Sequence, residues 1–516
     1  MDEINKRIEQ AKILTITKQF DEAIKVLNSC KNDKNGNWEV FFELGKIYYI
    51  KRQFFIAVKN LKYALKLNKN NIHIKFLLAK TFKELNLKFR ALKLFFDIRK
   101  SNFSMQQEID NEIISMFMKE NLYFVTLKYI DKYVTKSNVL REKILNYLFA
   151  QIDILNFKES SEKAKILAIN TLKKIRNLNV REKNILLNEI EIADNKLRLK
   201  SLPRILEIEL TQNCNLKCKM CPNYSKTGNY KELNEEQISI LVDLLEYAET
   251  IIWIGGEPLL YKNIEKLFDI ANKLHVKQEI VTNGLLLTKK IIKKIIDYNI
   301  KLTLSIDSVN KDIYEKIRFG GSFNTLLKNI KYIYEYRCLK KSEKEFVINV
   351  VLSRWNYEYK NNFFEIVNFA NKYNFKTINI YFDSREHDKI LQKKYIKQFN
   401  LQRKDLIKLA NDFGINLDIN FEYLNENTDK DKVNKNFLCK FCLLPWKKIY
   451  IRFNGDVNID CRCPKIGDFS KNIRKEYLIN NIWNGRKMIN FRRQIINEDL
   501  ESIKKICNSD ISLRKG

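Results

Sequence analysis

The sequence predicts a multidomain chain: an all-α solenoid over residues 1–200, an α/β domain after it, and a small cysteine-bearing α+β domain at the C-terminal end. Three observations predict this. All five prolines, and eleven of the thirteen glycines, lie at or beyond Pro203, which leaves only Gly36 and Gly45 in the first 202 residues. A stretch so free of breakers and turn chemistry is helical. Beyond Pro203, short alternating apolar runs exchange with helical periodicities, the pattern of strand–helix alternation. Finally, eight of the ten cysteines gather in two clusters, at 214–221 and 439–507.

Composition bounds the function. With 516 residues, 45% of them hydrophobic, the chain is long enough for two to four domains at ~150 residues each, and disorder as a whole is excluded. The net charge of +32 suits an acidic partner. Lysine is spread along the whole chain with acidic residues between, however, and no basic arm or stripe forms, so nucleic acid is not the expected partner. No run approaches the ~18 apolar residues of a membrane span. Met1–Arg7 leads into no apolar stretch of a signal peptide, so a cytoplasmic location with reduced thiols is expected.

The helical part has a period of 34. Ala11, Gly45 and Ala79 are spaced by it, as are Leu14, Tyr48 and Phe82, then Ala23, Ala57 and Ala91, then Leu27, Leu61 and Phe95, and Cys30, Ala64 and Ile98. Small residues recur where paired helices must approach and large ones where they bury a shared face. Over residues 4–105 this resembles three tetratricopeptide (TPR) repeats, best in Trp38, Leu44, Gly45, Tyr48, Ala57, Leu61 and Ala64, although the usual closing proline is missing. The resemblance implies a concave surface for a peptide or protein partner, with a dimerisation platform or spacer as the competing role. Residues 106–200 keep helical periodicity without the repeat and are expected to cap or extend the solenoid.

The strand Ile205–Thr211 leads into Cys214, Cys218 and Cys221. Three thiolates on one loop can hold three irons of a 4Fe–4S cluster and leave the fourth open to a reacting ligand, whereas structural zinc wants a fourth ligand that no nearby Cys or His supplies. This C-x3-C-x2-C spacing resembles the radical S-adenosylmethionine (SAM) enzymes, and the resemblance extends over residues 203–390. Ile251–Pro258 contains Gly255-Gly256-Glu257 in the place of that family's GGE motif. Ile280–Gly284 resembles its third strand end, and Leu302–Asp307 its fourth, where ribose-binding groups lie. Ile317–Phe323 resembles the segment that follows. The resemblance implies a partial (β/α)6 barrel of TIM type over 201–390, with Phe346–Leu352 and Thr377–Phe382 as its last strands and the site at the carboxyl ends. It also implies cofactor contacts from Met220, Gly255, Gly256, Glu257, Asn283, Ser305, Asp307 and Arg318, the last toward the SAM carboxylate.

After a connecting helical segment at 391–436, the order Cys439, Cys442, Pro445-Trp446, a Gly455 hairpin turn, Cys461, Cys463, Ile482–Gly485, Arg492 and Cys507 is similar to the SPASM or shorter twitch extension of radical SAM enzymes, within 437–516. One auxiliary 4Fe–4S cluster is then expected on Cys442, Cys461 and Cys507, its fourth ligand being Cys463, Cys439 or Asp510. Zinc on the same thiols is the alternative. Cys30, Cys338 and the three histidines (His73, His275 and His387) are expected to take no part.

The chemistry implied is oxidoreductase-type. An electron donor such as flavodoxin or ferredoxin feeds the core cluster, SAM is cleaved to a 5′-deoxyadenosyl radical, and the radical takes a hydrogen atom from a substrate. Peptide or protein modification is the leading reading, because the helical array favours a macromolecule. Dehydrogenation of a sugar or other small molecule stands beside it. A non-catalytic iron–sulfur scaffold and an RNA-binding protein are the readings from other classes.

Overall fold

A computed structural model describes residues 2–31, 37–100, 105–120, 123–133, 138–157, 160–175, 177–221, 231–342, 345–359, 361–383, 389–420, 442–460, 463–470 and 472–499. The chain forms two compact units, Met1–Leu148 and Phe149–Gly516. No helix among the described residues is long and apolar enough to cross a membrane.

The first unit begins with three helical hairpins: α1 (Asp2–Ile16) with α2 (Phe20–Ser29), α3 (Trp38–Ile50) with α4 (Phe54–Leu67), and α5 (Ile72–Glu84) with α6 (Lys88–Lys100). Helices α7 (Gln106–Lys119) and α8 (Tyr123–Tyr133) follow, and α9 (Asn138–Phe157) runs across the boundary between the units at Leu148. The 34-residue period is written into the backbone. Lys18, Arg52 and Asn86 turn left-handed, at φ 61°, 56° and 58°. One residue on, the N–H groups of Gln19, Gln53 and Leu87 each reach back five residues, to Leu14, Tyr48 and Phe82, at 2.8 Å every time. This closes the carbonyls that a helix end leaves open. The periodic core positions Ala23, Ala57, Ala91, Leu27, Leu61 and Phe95 are fully buried. At Gly45 a Cβ would come within 2.5 Å of the Leu61 side chain, so α3 and α4 touch through a glycine.

The boundary between units falls about fifty residues before the change in composition near residue 200. Helices α10 (Ser161–Lys174) and α11 (Val180–Ala193) therefore belong with the α/β unit, where the sequence suggested a solenoid cap. The polar side of α11 explains this. Arg181 donates to the Leu245, Leu274 and His275 carbonyls, Asn184 to those of Leu202 and Tyr247, and Asn188 to Ser201 Oγ and the Trp446 carbonyl. Glu189, fully buried, pairs with Arg204 and Lys447.

The second unit is built on one sheet. Its strands are β1 (Ile205–Glu209), β3 (Thr250–Ile254), β4 (Lys277–Thr282), β5 (Lys301–Ser305), β7 (Phe346–Leu352), β8 (Thr377–Phe382), β9 (Asn416–Asn420), β10 (Lys448–Ile451), β11 (Asp456–Asn458) and β12 (Lys465–Asp468). The short β2 (Lys217–Cys218) and β6 (Arg318–Phe319) form a separate antiparallel pair. The large sheet runs β12-β11-β10-β1-β3-β4-β5-β7-β8-β9, parallel from β10 to β9. Helices α12 (Glu235–Leu244), α13 (Ile264–Lys273), α14 (Lys289–Asp297), α15 (Lys311–Ile317), α16 (Phe323–Lys340) and α17 (Asn362–Lys372) lie between the strands from β1 to β8. In α14 the sequence KKIIKKIID buries Ile291, Ile292, Ile295 and Ile296 and turns its lysines outward.

The six strands expected from β1 to β8 are all present, and two additions extend them. The 391–436 segment, expected to be helical, holds α18 (Lys389–Asp412) and then β9, which adds a seventh parallel strand beside β8. At the other edge β10 pairs in parallel with β1, so the C-terminal hairpin continues the main sheet. Its turn is at Gly455, φ 84°, as expected.

Candidate active site

Strand parity decides which side chains can meet. On β1 and β3, Leu206, Ile208, Ile251 and Trp253 are buried in the core, and the alternate residues Glu207, Glu209, Ile252 and Ile254 are only partly covered. At the carboxyl ends of β1, β3, β4, β5 and β7 lies a cavity of about 310 Å³. Its walls include Cys214, Cys218, Met220 and Cys221 from the loop after β1, Gly255, Gly256 and Glu257 after β3, and Asn283 after β4. Ser305 of β5 and Arg318 of β6 complete the set. Ten of the eleven residues singled out around the first cysteine cluster thus line one space. The eleventh, Asp307, is fully buried behind it, where its carboxylate meets Arg318 Nη2 at 2.8 Å.

The glycines hold the cysteine loop close. Gly256 N–H donates to the Thr211 carbonyl and Glu257 N–H to that of Asn213, each at 2.8 Å. A Cβ on Gly256 would sit 2.3 Å from the Asn213 oxygen and 2.4 Å from the Gln212 oxygen. Gly255, at φ 147°, would bring one within 2.6 Å of the Thr211 oxygen. Only hydrogen fits between these backbones.

Glu257 and Asn283 then tie the strand ends together. Glu257 Oε1 accepts from Thr282 Oγ1 at 2.6 Å and Leu259 N at 3.2 Å, and Oε2 accepts from Asn283 N at 2.9 Å. Burial pushes the Glu257 carboxyl up, with these donors working in the other direction. The Asn283 side chain donates to Asn215 Oδ1, inside the cysteine loop, at 2.8 Å.

Cys218 pairs across β2–β6 with Arg318, whose Nη1 lies 3.8 Å from its sulfur. Burial raises the Cys218 thiol to about 12, against the opposing pull of Arg318, and burial also raises Cys214. Both thiols are therefore neutral at pH 7 unless something withdraws their protons, which an iron centre does on binding.

The donor set suits a cluster, with three thiols of one loop on one cavity. Among the described residues, no three His, Cys, Asp or Glu side chains meet closely enough to hold one metal ion. A tetrahedral ion with Zn–S of about 2.3 Å would draw its sulfurs to roughly 4 Å of one another. A cluster places each thiolate on a different iron and needs them only around a shared space. Three thiols on one cavity, a backbone cradle that a Cβ would fill, and a basic group against one sulfur fit the expected 4Fe–4S cluster.

Parity would also have found the apolar part of this wall. Ile254, Val281 and Val351 line the cavity beside Gln212, Leu216, Lys217 and Thr282. The first two lie two residues before Gly256 and Asn283.

Of the second cysteine cluster, Cys463 is buried and Cys442 half-buried in the core of the α/β unit. Cys439, Cys461, Cys507 and Asp510 lie outside the described residues. Cys30 is buried in the first hairpin core and Cys338 is exposed. His73 and His275 are exposed, and His387 lies outside the described residues.

Residues 208–359 match the family described as the Radical SAM superfamily. Over 221 residues the chain is 29% identical to the radical SAM cyclopropyl synthase TigE of Paramaledivibacter caminithermalis, covering 38% of this chain and 44% of that protein. Over 134 residues it is 30% identical to the mycofactocin maturase MftC of Mycolicibacterium smegmatis, covering 25% of this chain and 34% of that one. The similarity thus spans less than half the length of either relative. A solved structure of Streptococcus suis SuiB bound to the precursor peptide SuiA aligns with 67% of this chain and 80% of its own, at 19% identity and a TM-score of 0.45.

Proposed function

Because residues 208–359 carry a radical SAM domain, we propose that this chain cleaves SAM reductively and uses the resulting 5′-deoxyadenosyl radical to take a hydrogen atom from a peptide or protein substrate. The observation that carries the reading is the meeting of Cys214, Cys218 and Cys221 with the Gly255–Glu257 strand end around one cavity. When bound, the 4Fe–4S cluster and SAM supply the one-electron chemistry.

The chain's own residues do the rest. The three thiolates would hold three irons and leave one corner of the cluster facing the cavity. Gly255 and Gly256 let the end of β3 close against the cysteine loop, which sets that loop at the wall of the cavity. Glu257 sets a negative charge there, suited to an ammonium group, and locks β3 to β4 through Thr282 and Asn283. Ser305 offers a hydroxyl toward a ribose, and Ile254, Val281 and Val351 exclude water from one side.

Two observations favour a peptide or protein substrate. One relative is named a maturase. The first unit repeats a helical hairpin with a 34-residue period, which we read as tetratricopeptide-like and as the surface that receives the substrate or its carrier. In the same reading, Cys442, Cys461 and Cys507, with Cys463, Cys439 or Asp510, would hold one auxiliary 4Fe–4S cluster, which would supply a one-electron acceptor. Flavodoxin or ferredoxin is the class of donor for the core cluster.

The test is anaerobic. Reconstituted protein given SAM and dithionite should release 5′-deoxyadenosine, read by mass spectrometry. Replacing Cys214, Cys218 and Cys221 with Ala should abolish release without changing the helical circular dichroism of the first unit. Undiminished release in that variant would end the proposal, and turnover of a free sugar in place of peptides would move it to a small-molecule dehydrogenase.

A further inference from the structure

Arg318 is an unusual group to find beside an iron ligand. Its side chain is buried at the wall of the cavity. The β2–β6 ladder sets it opposite Cys218, and the bond from Lys219 N to the Ile317 carbonyl at 3.0 Å pins that register. Nη1 lies 3.8 Å from the Cys218 sulfur. Nη2 lies 2.8 Å from Asp307 Oδ2, and Asp307 is fully buried and outside the cavity lining.

Asp307 is itself fixed. Its Oδ1 accepts from Val351 N at 2.8 Å, and its carbonyl accepts from the Asn356 and Asn362 side chains at 3.1 and 3.0 Å. A guanidinium keeps its charge in proteins, and the Asp307 carboxylate lies beside this one to balance it. The result is a buried dipole, cationic end against the sulfur and anionic end behind it.

Building on the radical SAM reading of this site, we propose that Arg318 is a positioning residue for charge: it holds a cation against the Cys218 sulfur and raises the reduction potential of the cluster, while Asp307 fixes that cation and partly offsets it. Reduction adds one negative charge to the cluster. A cation close to a ligand sulfur stabilises the reduced form, and an anion opposes it, each more strongly the more it is buried. The two side chains therefore act with opposite signs on one quantity. A brace that merely held the loop would give no such opposition.

The test is the midpoint potential of the reconstituted full chain without SAM, followed by electron paramagnetic resonance. The relevant signal is the one that disappears in Cys218→Ala. Arg318→Gln should make reduction about tenfold less favourable, a shift of 59 mV downward for a one-electron couple. Asp307→Asn, which still accepts from Val351 N, should move the potential upward. Arg318→Lys should stay within about twofold of wild type, or 18 mV on the same scale.

Shifts of the same sign in Arg318→Gln and Asp307→Asn, or no shift in either, would overturn the proposal. So would an unchanged potential in Arg318→Gln with weakened SAM binding, which would make Arg318 a carboxylate contact instead. If Arg318→Gln fails to assemble a cluster, the upward shift in Asp307→Asn and the near-constancy of Arg318→Lys remain to be met. Wild-type protein with no cluster signal that depends on Cys218 would fail the proposed function itself, a different result from a cluster whose potential ignores these residues.

Discussion

Replacing Gly256 with alanine tests how the cysteine loop is held. The new Cβ would stand 2.3 Å from the Asn213 oxygen and 2.4 Å from the Gln212 oxygen, both main-chain atoms that cannot rotate away. Restoring a tolerable separation of about 3.2 Å requires the two backbones to part by about 0.9 Å. The bonds from Gly256 N to Thr211 O and from Glu257 N to Asn213 O would stretch from 2.8 Å to about 3.7 Å and cease to be hydrogen bonds. Two lost bonds at about 1 kcal/mol each, with residual crowding, amount to about 2–4 kcal/mol. The melting temperature of the α/β unit should fall by about 3–5 °C. Cys214, one residue past Asn213, should move with the loop, so iron content after reconstitution should fall as well. Calorimetry and iron analysis on the same preparations read both effects. A variant that melts within 1 °C of wild type and takes up the same iron would refute the claim that this contact admits only glycine.

Three other outcomes are expected. Removing residues 1–148 should leave an α/β unit that melts cooperatively, whereas removing residues 1–200 should not, because Asn184, Asn188 and Glu189 are lost from Leu202, Trp446 and Arg204; equal melting of the two truncations would contradict this. Burial works against the Glu249 carboxylate, but Arg204 and Lys277 outweigh it and hold it at about 2. Its folded value being depressed, its stabilisation is full above the ordinary value near 4.5 and is lost as pH falls toward 2. The stability difference between wild type and Glu249→Gln, from urea unfolding, should narrow by about 1.4 kcal/mol between pH 6 and pH 3.5, and a constant difference would exclude the pairing. Replacing Lys18 or Arg52, at φ 61° and 56°, with glycine should stabilise the first unit by about 0.5–1 kcal/mol in urea unfolding, and destabilisation would show that the side chains matter more than the backbone strain.

Much of the site could be read from the chain because its signals are local. Cys214, Cys218 and Cys221 sit within eight residues, and Gly255-Gly256-Glu257 ends an apolar strand. The 34-residue period was legible because each hairpin solves the same packing problem with the same small and large residues. What escaped depends on distant partners. Asn184, Asn188 and Glu189 look like the solvated side of a helix, yet Asn188 is satisfied by a carbonyl 258 residues away. β9, Asn416-Leu417-Asp418-Ile419-Asn420, alternates as a strand should, but its polar half merges with an Asn- and Lys-rich surrounding, so nothing local separates it from a loop. Asp307 continues the parity of Ser305, which would aim it at the cavity. The strand ends at Ser305, and the chain turns the carboxylate toward Arg318 instead.

The pairing of β1 with β10 also has a consequence for how the protein is made. Ile205 lies beside Lys448, which is 243 positions further along the chain. At about 5–20 residues per second, a ribosome adds that stretch in roughly 10–50 s. During that time β1 can join β3, but its other edge offers unpaired N–H and C=O groups to any passing strand. The helical hairpins of the first unit, whose contacts are local, can fold long before. A nascent chain stalled before residue 448 would therefore display finished helical hairpins tethered to a sheet with an open seam. Such chains should be the ones that holdase chaperones retain.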